Sequence, residues 1–289
     1  MSAKTKLCCL IGHPVAHSLS PVMHNTAFRL LGIDYVYVCF DVKPGMLRAA
    51  FNGIKALGVR GANVTIPHKE EAARLVDELD DVARLSLAVN TVLNKEGFLV
   101  GFNTDGPAAV KCMLRGGVKP DGMQITVVGA GGASRAILAS ILNGFEVAGV
   151  SILNRTYERA RNLALYLLNV FGQDLRVKAF PLTPQHLKRE VSKADLVVNA
   201  TSIGMFPRVD ETPIPTDFLQ PGQVVFDVVY NPPKTALLRG AEKRGCKTIS
   251  GLDMFVEQGA LAFKIWTGLE PPVREMRRAV VEALKRGDW

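Results

Sequence analysis

Two ionisable side chains stand where a chain commonly presents reactive groups. Lys69 follows Pro67, which is placed to start a helix, so the lysine is predicted to lie in the first helical turn. The positive end of the helix dipole disfavours a second positive charge there, which suits a group that gives up a proton. Asp105 follows the predicted strand 98–102 and borders a turn, where active-site carboxylates are common. The alternatives are an exposed surface lysine and an Asx turn that stabilises the corner.

Two serines precede a helix that is predicted to begin at Pro21. Ser20 is a suitable N-cap, and the apolar residues that follow have helical spacing. The hydroxyls of Ser18 and Ser20, with the N–H groups of the first turn, would form a pocket suited to a carboxylate. Plain capping by Ser20 is the alternative, and it leaves Ser18 unexplained.

A glycine-rich turn follows the short apolar strand 125–128. Gly129 and Gly131 occupy the first two positions of a dinucleotide-binding fingerprint, whereas Ser134 stands at the third. A phosphate can reach backbone N–H groups at a helix N-terminus only where no side chain intrudes. The turn therefore indicates a nucleotide site, with an ordinary β–α turn as the alternative.

The residues after the next strand, 147–153, indicate which dinucleotide would bind. An NAD-preferring site places an acid there for the ribose hydroxyl. This chain instead has Asn154, Arg155 and Thr156, with Arg159 one turn further on. Two guanidinium groups can hold a 2′-phosphate, so NADP is favoured. The alternative is helix capping by Asn154 or Thr156 beside solvated arginines.

The elements that must position these groups form two patterns. The first half mixes strands and helices and ends in a hairpin, 88–93 and 98–102, followed by a helix opened by Pro107. After a glycine-rich linker, 116–122, strands and helices alternate as in a nucleotide-binding domain. The remaining predicted strands are 7–12, 35–40, 59–66, 175–180, 196–200, 224–229 and 247–250, and the remaining helices are 44–57, one from Met254 and one after Pro272.

Composition narrows the functional classes. The 289 residues carry a net charge of +8, but the basic residues are scattered, so neither a nucleic-acid nor a membrane partner is expected. No apolar run is long enough for a membrane span. The five cysteines are unevenly spaced, which suits reduced thiols in the cytoplasm. No His/Cys spacing suggests a metal site.

Nine short motifs along the chain resemble the shikimate dehydrogenase family, including its quinate/shikimate branch. The resemblance covers essentially the whole sequence, and nine motifs in the family's order are highly specific. They are HSLSPVMHN from His17, GANVTIPHK from Gly61, AVNTV from Ala88, NTDG from Asn103, GAGGASRA from Gly129, NRT from Asn154, NATSIGM from Asn199, DVVYNP from Asp227 and GLDM from Gly251.

The resemblance implies an NADP-dependent oxidoreductase that reversibly reduces 3-dehydroshikimate to shikimate in aromatic amino-acid biosynthesis. Lys69 and Asp105 match the family's catalytic pair and would handle the proton. The implied fold has two α/β domains: a substrate domain with a mostly parallel sheet, residues 1–106 plus 253–289, and a Rossmann-like NADP domain, residues 107–252. The active site would be a cleft between them, and a homodimer is compatible with the resemblance.

The resemblance also assigns binding residues. The implied substrate contacts are Ser18, Ser20, Asn63, Thr65, Asn90, Tyr230 and Gln258. The implied NADP contacts are Gly129, Ala130, Gly131, Gly132, Ala133, Asn154, Arg155, Thr156, Arg159, Met205 and Gly251.

Two positions depart from the family pattern. Leu87 replaces the glycine usual before AVNT, and Ala108 replaces the second glycine of NTDGxG, so altered packing is expected. One alternative function is a quinate/shikimate dehydrogenase that uses NAD, and another is a non-catalytic NADP-binding regulator. Retention of Lys69 and Asp105 disfavours the regulator, since a sensor needs no proton-transfer pair.

Overall fold

The computed structural model describes residues 2–287, which divide into two compact units. The first unit comprises the chain up to Ala108 together with the residues from Val256 onwards, and the second comprises Ala109–Phe255. Both units are α/β, as predicted. No helix within residues 2–287 is long and apolar enough to cross a membrane.

The first unit is built on a six-stranded mixed sheet in the order β2-β1-β3-β5-β6-β4. Strands β2, β1 and β3 are parallel, while β5 runs antiparallel to both β3 and β6. The strands are β1 Lys6–Gly12, β2 Tyr35–Asp41, β3 Gly61–Val64, β4 Glu78–Leu79, β5 Thr91–Lys95 and β6 Phe98–Phe102. The helices are α1 Ser20–Leu30, α2 Leu47–Ala56, α3 Lys69–Leu75 and α4 Asp81–Ser86. Helix α5, Asp105–Arg115, begins in this unit and ends in the second.

The second unit is a fully parallel sheet in the order β12-β11-β10-β7-β8-β9. This is the doubly wound order of a Rossmann fold, whose strand order reverses between β7 and β10. The strands are β7 Gln124–Val128, β8 Gly149–Asn154, β9 Val177–Pro181, β10 Leu196–Asn199, β11 Val224–Asp227 and β12 Lys247–Ser250. The helices are α6 Gly132–Gly144, α7 Tyr157–Phe171, α8 Pro184–Val191 and α9 Ala236–Lys243, with a 3-10 turn at Thr216–Phe218.

The chain returns to the first unit through two final helices, α10 Gly251–Thr267 and α11 Val273–Arg286. Trp266 of α10 is fully buried, and its indole N–H donates to the Val92 carbonyl at 3.0 Å. A Cβ on Gly61 of β3 would overlap this indole, so the glycine makes room for the ring. Helix α11 packs on α1. The C-terminal helices therefore complete the first unit.

Helix α1 starts one residue before the predicted position. Ser20 is the first helical residue instead of the N-cap, and its hydroxyl makes no cap hydrogen bond. The Ser20 N–H donates to the Ser18 hydroxyl at 3.2 Å instead. The prediction that Ser20 caps the helix is wrong, because Ser20 already lies in the first turn and Leu19 holds the N-cap position.

Two other helices begin earlier than predicted for a similar reason. Helix α5 starts at Asp105, two residues before Pro107, because the Asn103 side chain accepts from the N–H groups of Asp105 and Gly106 at 3.0 and 3.3 Å. The predicted Asx turn is thus made by Asn103 and not by Asp105. Helix α10 starts at Gly251 because the Ser250 hydroxyl accepts from the N–H of Leu252.

Three further predictions differ from the structure in the bounds of a helix, a strand and a linker. Helix α2 begins only at Leu47, since Gly45 has φ +86, outside the right-handed helical region. Strand β3 ends at Val64, because the next residues form a turn closed by His68 N–H donating to the Thr65 carbonyl. The stretch 116–122 belongs to the second unit, where Val118 is buried.

The two departures from the family pattern have different environments. Ala108 is fully buried in α5. Leu87 ends α4 in the left-handed conformation, with φ +49, and 42% of the residue is exposed. A leucine in this region is strained because its Cβ crowds the following carbonyl oxygen. The effect of Leu87 therefore lies in its backbone conformation more than in packing.

We expect Leu87→Gly to raise the free energy of unfolding by roughly 0.5 to 1 kcal/mol, since relief of left-handed strain exceeds the added chain entropy. Urea denaturation measures the change. Leu57→Gly is the matched control, because Leu57 also follows a helix and is exposed but has φ −89. That control should lower stability, and an equal loss in both variants would contradict the strain at Leu87.

Candidate functional site

Lys69 and Asp105 form a closely held ion pair in the first unit. Lys69 opens α3 and Asp105 opens α5, and the lysine Nζ donates to Oδ2 of the aspartate at 2.6 Å. Their side chains are 17% and 8% exposed, so the pair is largely shielded from solvent but not completely buried. The alternative of an exposed surface lysine is wrong.

Asn90 fixes the other oxygen of the Asp105 carboxylate. Its side-chain N–H group donates to Asp105 Oδ1 at 2.8 Å and to the Thr104 hydroxyl at 2.9 Å. Its Oδ1 accepts from the Thr104 N–H at 2.8 Å and from the Thr91 hydroxyl at 3.1 Å. Both ends of the buried amide are therefore occupied, which determines the orientation of the carboxylate.

Asn63 lies behind Asn90 on β3 and makes three hydrogen bonds within the protein. Its Nδ2 donates to the Asn90 carbonyl at 3.2 Å and to the Thr91 hydroxyl at 3.1 Å. Its Oδ1 accepts from the hydroxyl of Tyr37 at 2.8 Å. Sequence reasoning missed Tyr37, Thr91 and Thr104, because their participation depends on strand pairing and not on local spacing.

The two predicted serines are together at the start of α1. The Ser18 hydroxyl donates to the Ser20 hydroxyl at 3.2 Å. Ser18 is half-buried, whereas only 5% of Ser20 is exposed. Thr65 follows β3 and is partly exposed, as is Gln258 on α10. All these residues belong to the first unit.

The glycine-rich turn of the second unit has the shape that a phosphate requires. Gly129 has φ +112, and a Cβ there would meet the Ala200 carbonyl oxygen at 2.8 Å. A Cβ on Gly131 would meet open space, and Gly131 precedes α6 without a side-chain cap. The turn follows β7, next to β10, where the strand order reverses. Gly132 and Ala133 open α6, so N–H groups of Gly131 to Ala133 are available to an anion.

The hydrogen bond of Ser134 accounts for a serine at the third position of the glycine fingerprint. The residue is fully buried, and its hydroxyl donates to the Gly129 carbonyl at 2.8 Å. This bond ties the helix to the turn at the position where a third glycine would allow close packing. Ala130 is also buried beside it.

The end of β8 has the predicted basic character. Asn154 Nδ2 donates to the carbonyl of Thr156 at 2.8 Å, which closes the turn between β8 and α7. Thr156 precedes α7 without using its side chain as a cap. Arg155 and Arg159 are exposed, and no acid occupies the end of the strand. This donor set fits a 2′-phosphate, so the second unit has residues suitable for NADP.

Three predicted residues occupy other loops of the second unit. The Tyr230 ring stacks on Phe255, with centroids 4.1 Å apart. Gly251 opens α10, where a Cβ would approach the Val228 carbonyl group at 2.5 Å. Met205 lies in the segment after β10, and its N–H donates to Ser202. Tyr230 is thus in the second unit, whereas the other predicted substrate contacts are in the first.

A buried carboxylate that sequence reasoning missed supports the segment carrying Tyr230. Asp227, at the end of β11, accepts from Asn199 Nδ2 at 2.9 Å, from the Thr235 hydroxyl at 2.6 Å and from the Val229 N–H at 3.1 Å. Burial raises the pKa of Asp227 from 3.8 to about 6, although these hydrogen bonds oppose the rise. The sequence did contain a signal for this contact, since Asn199 and Asp227 are the first residues of two of the nine motifs.

No cluster of three or more His, Cys, Asp or Glu side chains within residues 2–287 is arranged to hold a metal ion. All five cysteines are free thiols.

The fold and these residues define an α/β protein with a Rossmann-type nucleotide unit and a second unit that carries a lysine–aspartate pair. Three family models match the chain. They describe the shikimate dehydrogenase substrate binding domain over residues 10–92, shikimate / quinate 5-dehydrogenase over 116–208 and the shikimate 5'-dehydrogenase C-terminal domain over 251–281.

Comparison with individual proteins agrees with these models. A relative from Moorella thermoacetica named shikimate dehydrogenase (NADP(+)) is 49% identical over 98% of this chain and 95% of its own length. A crystal structure of shikimate dehydrogenase in complex with NADP+ has a TM-score of 0.89 and 41% identity, covering 98% and 97% of the two chains. The Thermus thermophilus enzyme in complex with NADP(H) and shikimate has a TM-score of 0.83 and 36% identity, covering 96% and 99%. The chain belongs to the shikimate dehydrogenase family.

The raised pKa of Asp227 makes a prediction about stability. Because the folded-state pKa exceeds the unfolded one, the contribution of Asp227 to stability is greatest below pH 4 and is lost as pH rises through about 6. Asp227→Asn removes this dependence. Between pH 4 and 7 the free energy of unfolding of the wild type should therefore fall by about 2 to 3 kcal/mol relative to the variant, as measured by chemical denaturation.

Asp77→Asn is the matched control with the opposite sign. A hydrogen bond from the Leu99 N–H, and then one from Lys55, lower the pKa of Asp77. Its contribution is present above pH 4 and is lost as the pH falls. The difference in free energy of unfolding between wild type and variant should change with pH in opposite directions for Asp227→Asn and Asp77→Asn. If both differences changed in the same direction, the assigned effect of burial on Asp227 would be wrong.

Proposed function

We propose that this protein is an NADP-dependent shikimate dehydrogenase, which reversibly reduces 3-dehydroshikimate to shikimate in aromatic amino-acid biosynthesis. The observation that carries the proposal is the Lys69–Asp105 pair, held in place by Asn90 in a chain of this family. A binding protein without turnover has no use for such a pair.

The polar residues of the first unit match the chemistry of the substrate. Shikimate has one carboxylate and three hydroxyls. Ser18 and Ser20, at the N-terminal end of α1, offer hydroxyl donors beside a positive helix end, which suits the carboxylate. Asn63, Thr65, Asn90 and Gln258 are assigned to the ring hydroxyls, and Tyr230 to the carboxylate. Polar contacts of this type reject analogues that lack a hydroxyl.

Lys69 and Asp105 handle the proton of the reacting oxygen. In the reductive direction the Lys69 ammonium donates a proton to the oxygen that forms the C3 hydroxyl, and in the oxidative direction the neutral amine accepts it. The Asp105 carboxylate keeps the lysine oriented through the 2.6 Å hydrogen bond. Since Asn90 holds the second carboxylate oxygen, the lysine has a defined position during proton transfer.

The nicotinamide cofactor, when bound, supplies or accepts the hydride. In this chain the turn from Gly129 to Ala133 would hold the pyrophosphate, and Arg155 and Arg159 the 2′-phosphate, with Asn154 and Thr156 between them. Met205 and Gly251 are assigned to the remaining contacts with NADP.

The proposal includes the division of labour between the units. Residues 1–106 and 253–289 are assigned to the substrate and residues 107–252 to NADP, limits that lie within three residues of those of the compact units.

Five free thiols, four of them buried, support a reducing cytoplasmic location. A homodimer is proposed as the assembly, to be tested by light scattering.

We expect Lys69→Ala to lower kcat for shikimate oxidation by about 10² to 10⁴-fold, the usual contribution of a positioned proton-transfer group. Calorimetry should show little change in NADP affinity, because Lys69 belongs to the first unit. Lys95→Ala, at an exposed lysine of the same unit, is the control and should keep full turnover. Unchanged kcat in Lys69→Ala would refute the assigned role.

The cofactor assignment is tested by kcat/KM for shikimate and quinate with NADP and NAD. The wild type should be most efficient with shikimate and NADP. Arg155→Glu should reduce the NADP-to-NAD ratio by about 10- to 100-fold, since it removes a charged contact to the 2′-phosphate. Arg161→Glu, at an exposed arginine of α7, introduces the same charge change and should leave the ratio within about twofold. A wild type that prefers NAD or quinate would favour the quinate/shikimate alternative.

A further inference from the structure

His68 directly precedes Lys69 and belongs to the GANVTIPHK motif. It occupies the N-cap position of α3, but its side chain makes no capping hydrogen bond. The residue is only 1% exposed, so the imidazole is enclosed by the first unit. A buried imidazole needs hydrogen-bond partners within the protein, and those partners indicate what it does.

The imidazole of His68 ties the start of α3 to the segment that follows β2. Its Nε2 lies 2.6 Å from the carbonyl oxygen of Val42. A carbonyl oxygen can only accept, so Nε2 carries the hydrogen and donates it. Val42 is itself fixed to the end of β1, because its N–H donates to the Gly12 carbonyl at 2.9 Å. A side chain thus joins the helix start to the sheet.

The turn between β3 and α3 packs directly on the same end of β1. The Thr65 N–H donates to the Ile11 carbonyl at 2.8 Å, and the His68 N–H donates to the Thr65 carbonyl at 2.9 Å. A Cβ on Gly12 would overlap the methyl group of Thr65 and lie 3.1 Å from the Ile66 carbonyl oxygen. The glycine therefore allows the close approach of this turn to β1.

The main chain of Lys69 is held from a second side by the strand that leads to Asn90. The Lys69 carbonyl accepts from the N–H of Val89 at 2.9 Å, and Val89 is fully buried. The next residue, Asn90, holds the Asp105 carboxylate through its side chain. The two members of the ion pair are thus fixed separately, the aspartate by an amide and the lysine through its backbone.

We propose that His68 is a positioning residue for Lys69. Its hydrogen bond to Val42 fixes the start of α3, and with it the point from which the lysine side chain reaches Asp105. A lysine has a flexible four-carbon stem, so the place of its ammonium group depends on a fixed backbone as well as on the carboxylate. The inference rests on the proposed function, because it takes Lys69 as the proton-transfer group.

The direct test is His68→Leu, which removes the donor and keeps a buried side chain. We expect kcat for shikimate oxidation to fall about tenfold, since a misplacement of about 1 Å can cost up to about 10²-fold. KM for shikimate should change by less than about threefold, because Thr65 keeps its hydrogen bond to Ile11. KM for NADP should not change. A kcat within twofold of the wild type would overturn the inference.

Two amide variants of His68 test the hydrogen bond itself and also serve if His68→Leu does not fold. In His68→Gln the side-chain N–H group can reach the Val42 carbonyl, so kcat should stay within about threefold of the wild type. In His68→Asn the amide is one methylene shorter, and kcat should fall as in His68→Leu. Equal kcat values for the two amide variants would overturn the inference.

His186→Leu is the matched control in the second unit. His186 lies in the first turn of α8, and its Nδ1 is 2.8 Å from the Thr183 hydroxyl. The control also removes a histidine contact at a helix start, and it should leave kcat unchanged. An equal fall in kcat in this control would show that the loss in His68→Leu is not specific to the neighbourhood of Lys69.

A double-mutant cycle separates positioning of Lys69 from a general structural effect. If His68 acts through Lys69, His68→Leu should change kcat by no more than about twofold in a Lys69→Ala background. A structural role would lower thermal stability and reduce kcat by the same factor in both backgrounds, which would overturn the inference. A wild type without turnover of shikimate would instead refute the proposed function, so the two failures are distinguishable.

Discussion

The buried amide of Asn90 must satisfy two donors and an acceptor without water, and the first unit is arranged to do this. One N–H goes to Asp105 and the other to Thr104, while the amide oxygen accepts from Thr104 and Thr91. A buried polar group left without partners costs on the order of 1 to 3 kcal/mol, so every one of these contacts constrains its neighbours. The orientation of the Lys69–Asp105 pair is a consequence of that requirement.

The second unit solves a comparable problem with backbone groups. The parallel sheet aligns the carboxyl ends of its strands, and its order reverses between β7 and β10. Gly129 and Gly131 keep side chains out of the space beyond β7, while Ser134 ties α6 to the turn. Asp227 connects the ends of β10 and β11 to α9. An anion can thus be recognised with few side chains, because the helix start supplies the donors.

Much of this was predictable from the sequence, and the exceptions have physical causes. The glycine turn, the missing acid at the end of β8, the lysine after Pro67 and the two-unit α/β fold depend on local patterns, which a sequence displays directly. Helix starts differ from the predicted ones where Asn103 or Ser18 accepts a hydrogen bond from a backbone N–H ahead of the expected first turn. Tyr37 could not be recognised, because its contact with Asn63 joins residues 26 positions apart on β2 and β3.

The burial of Trp266 against Gly61 and Val92 has a consequence for how the protein is made. The last strand of the first unit's sheet ends at Phe102, yet this indole bonds to the sheet from a position 174 residues after Val92. During synthesis, the strands up to β6 must therefore leave the ribosome and wait until α10 has been translated. The whole of the second unit, Ala109–Phe255, emerges in that interval and has all its own strands available. Synthesis from the N-terminus to the C-terminus thus favours folding of the second unit before the first unit is complete.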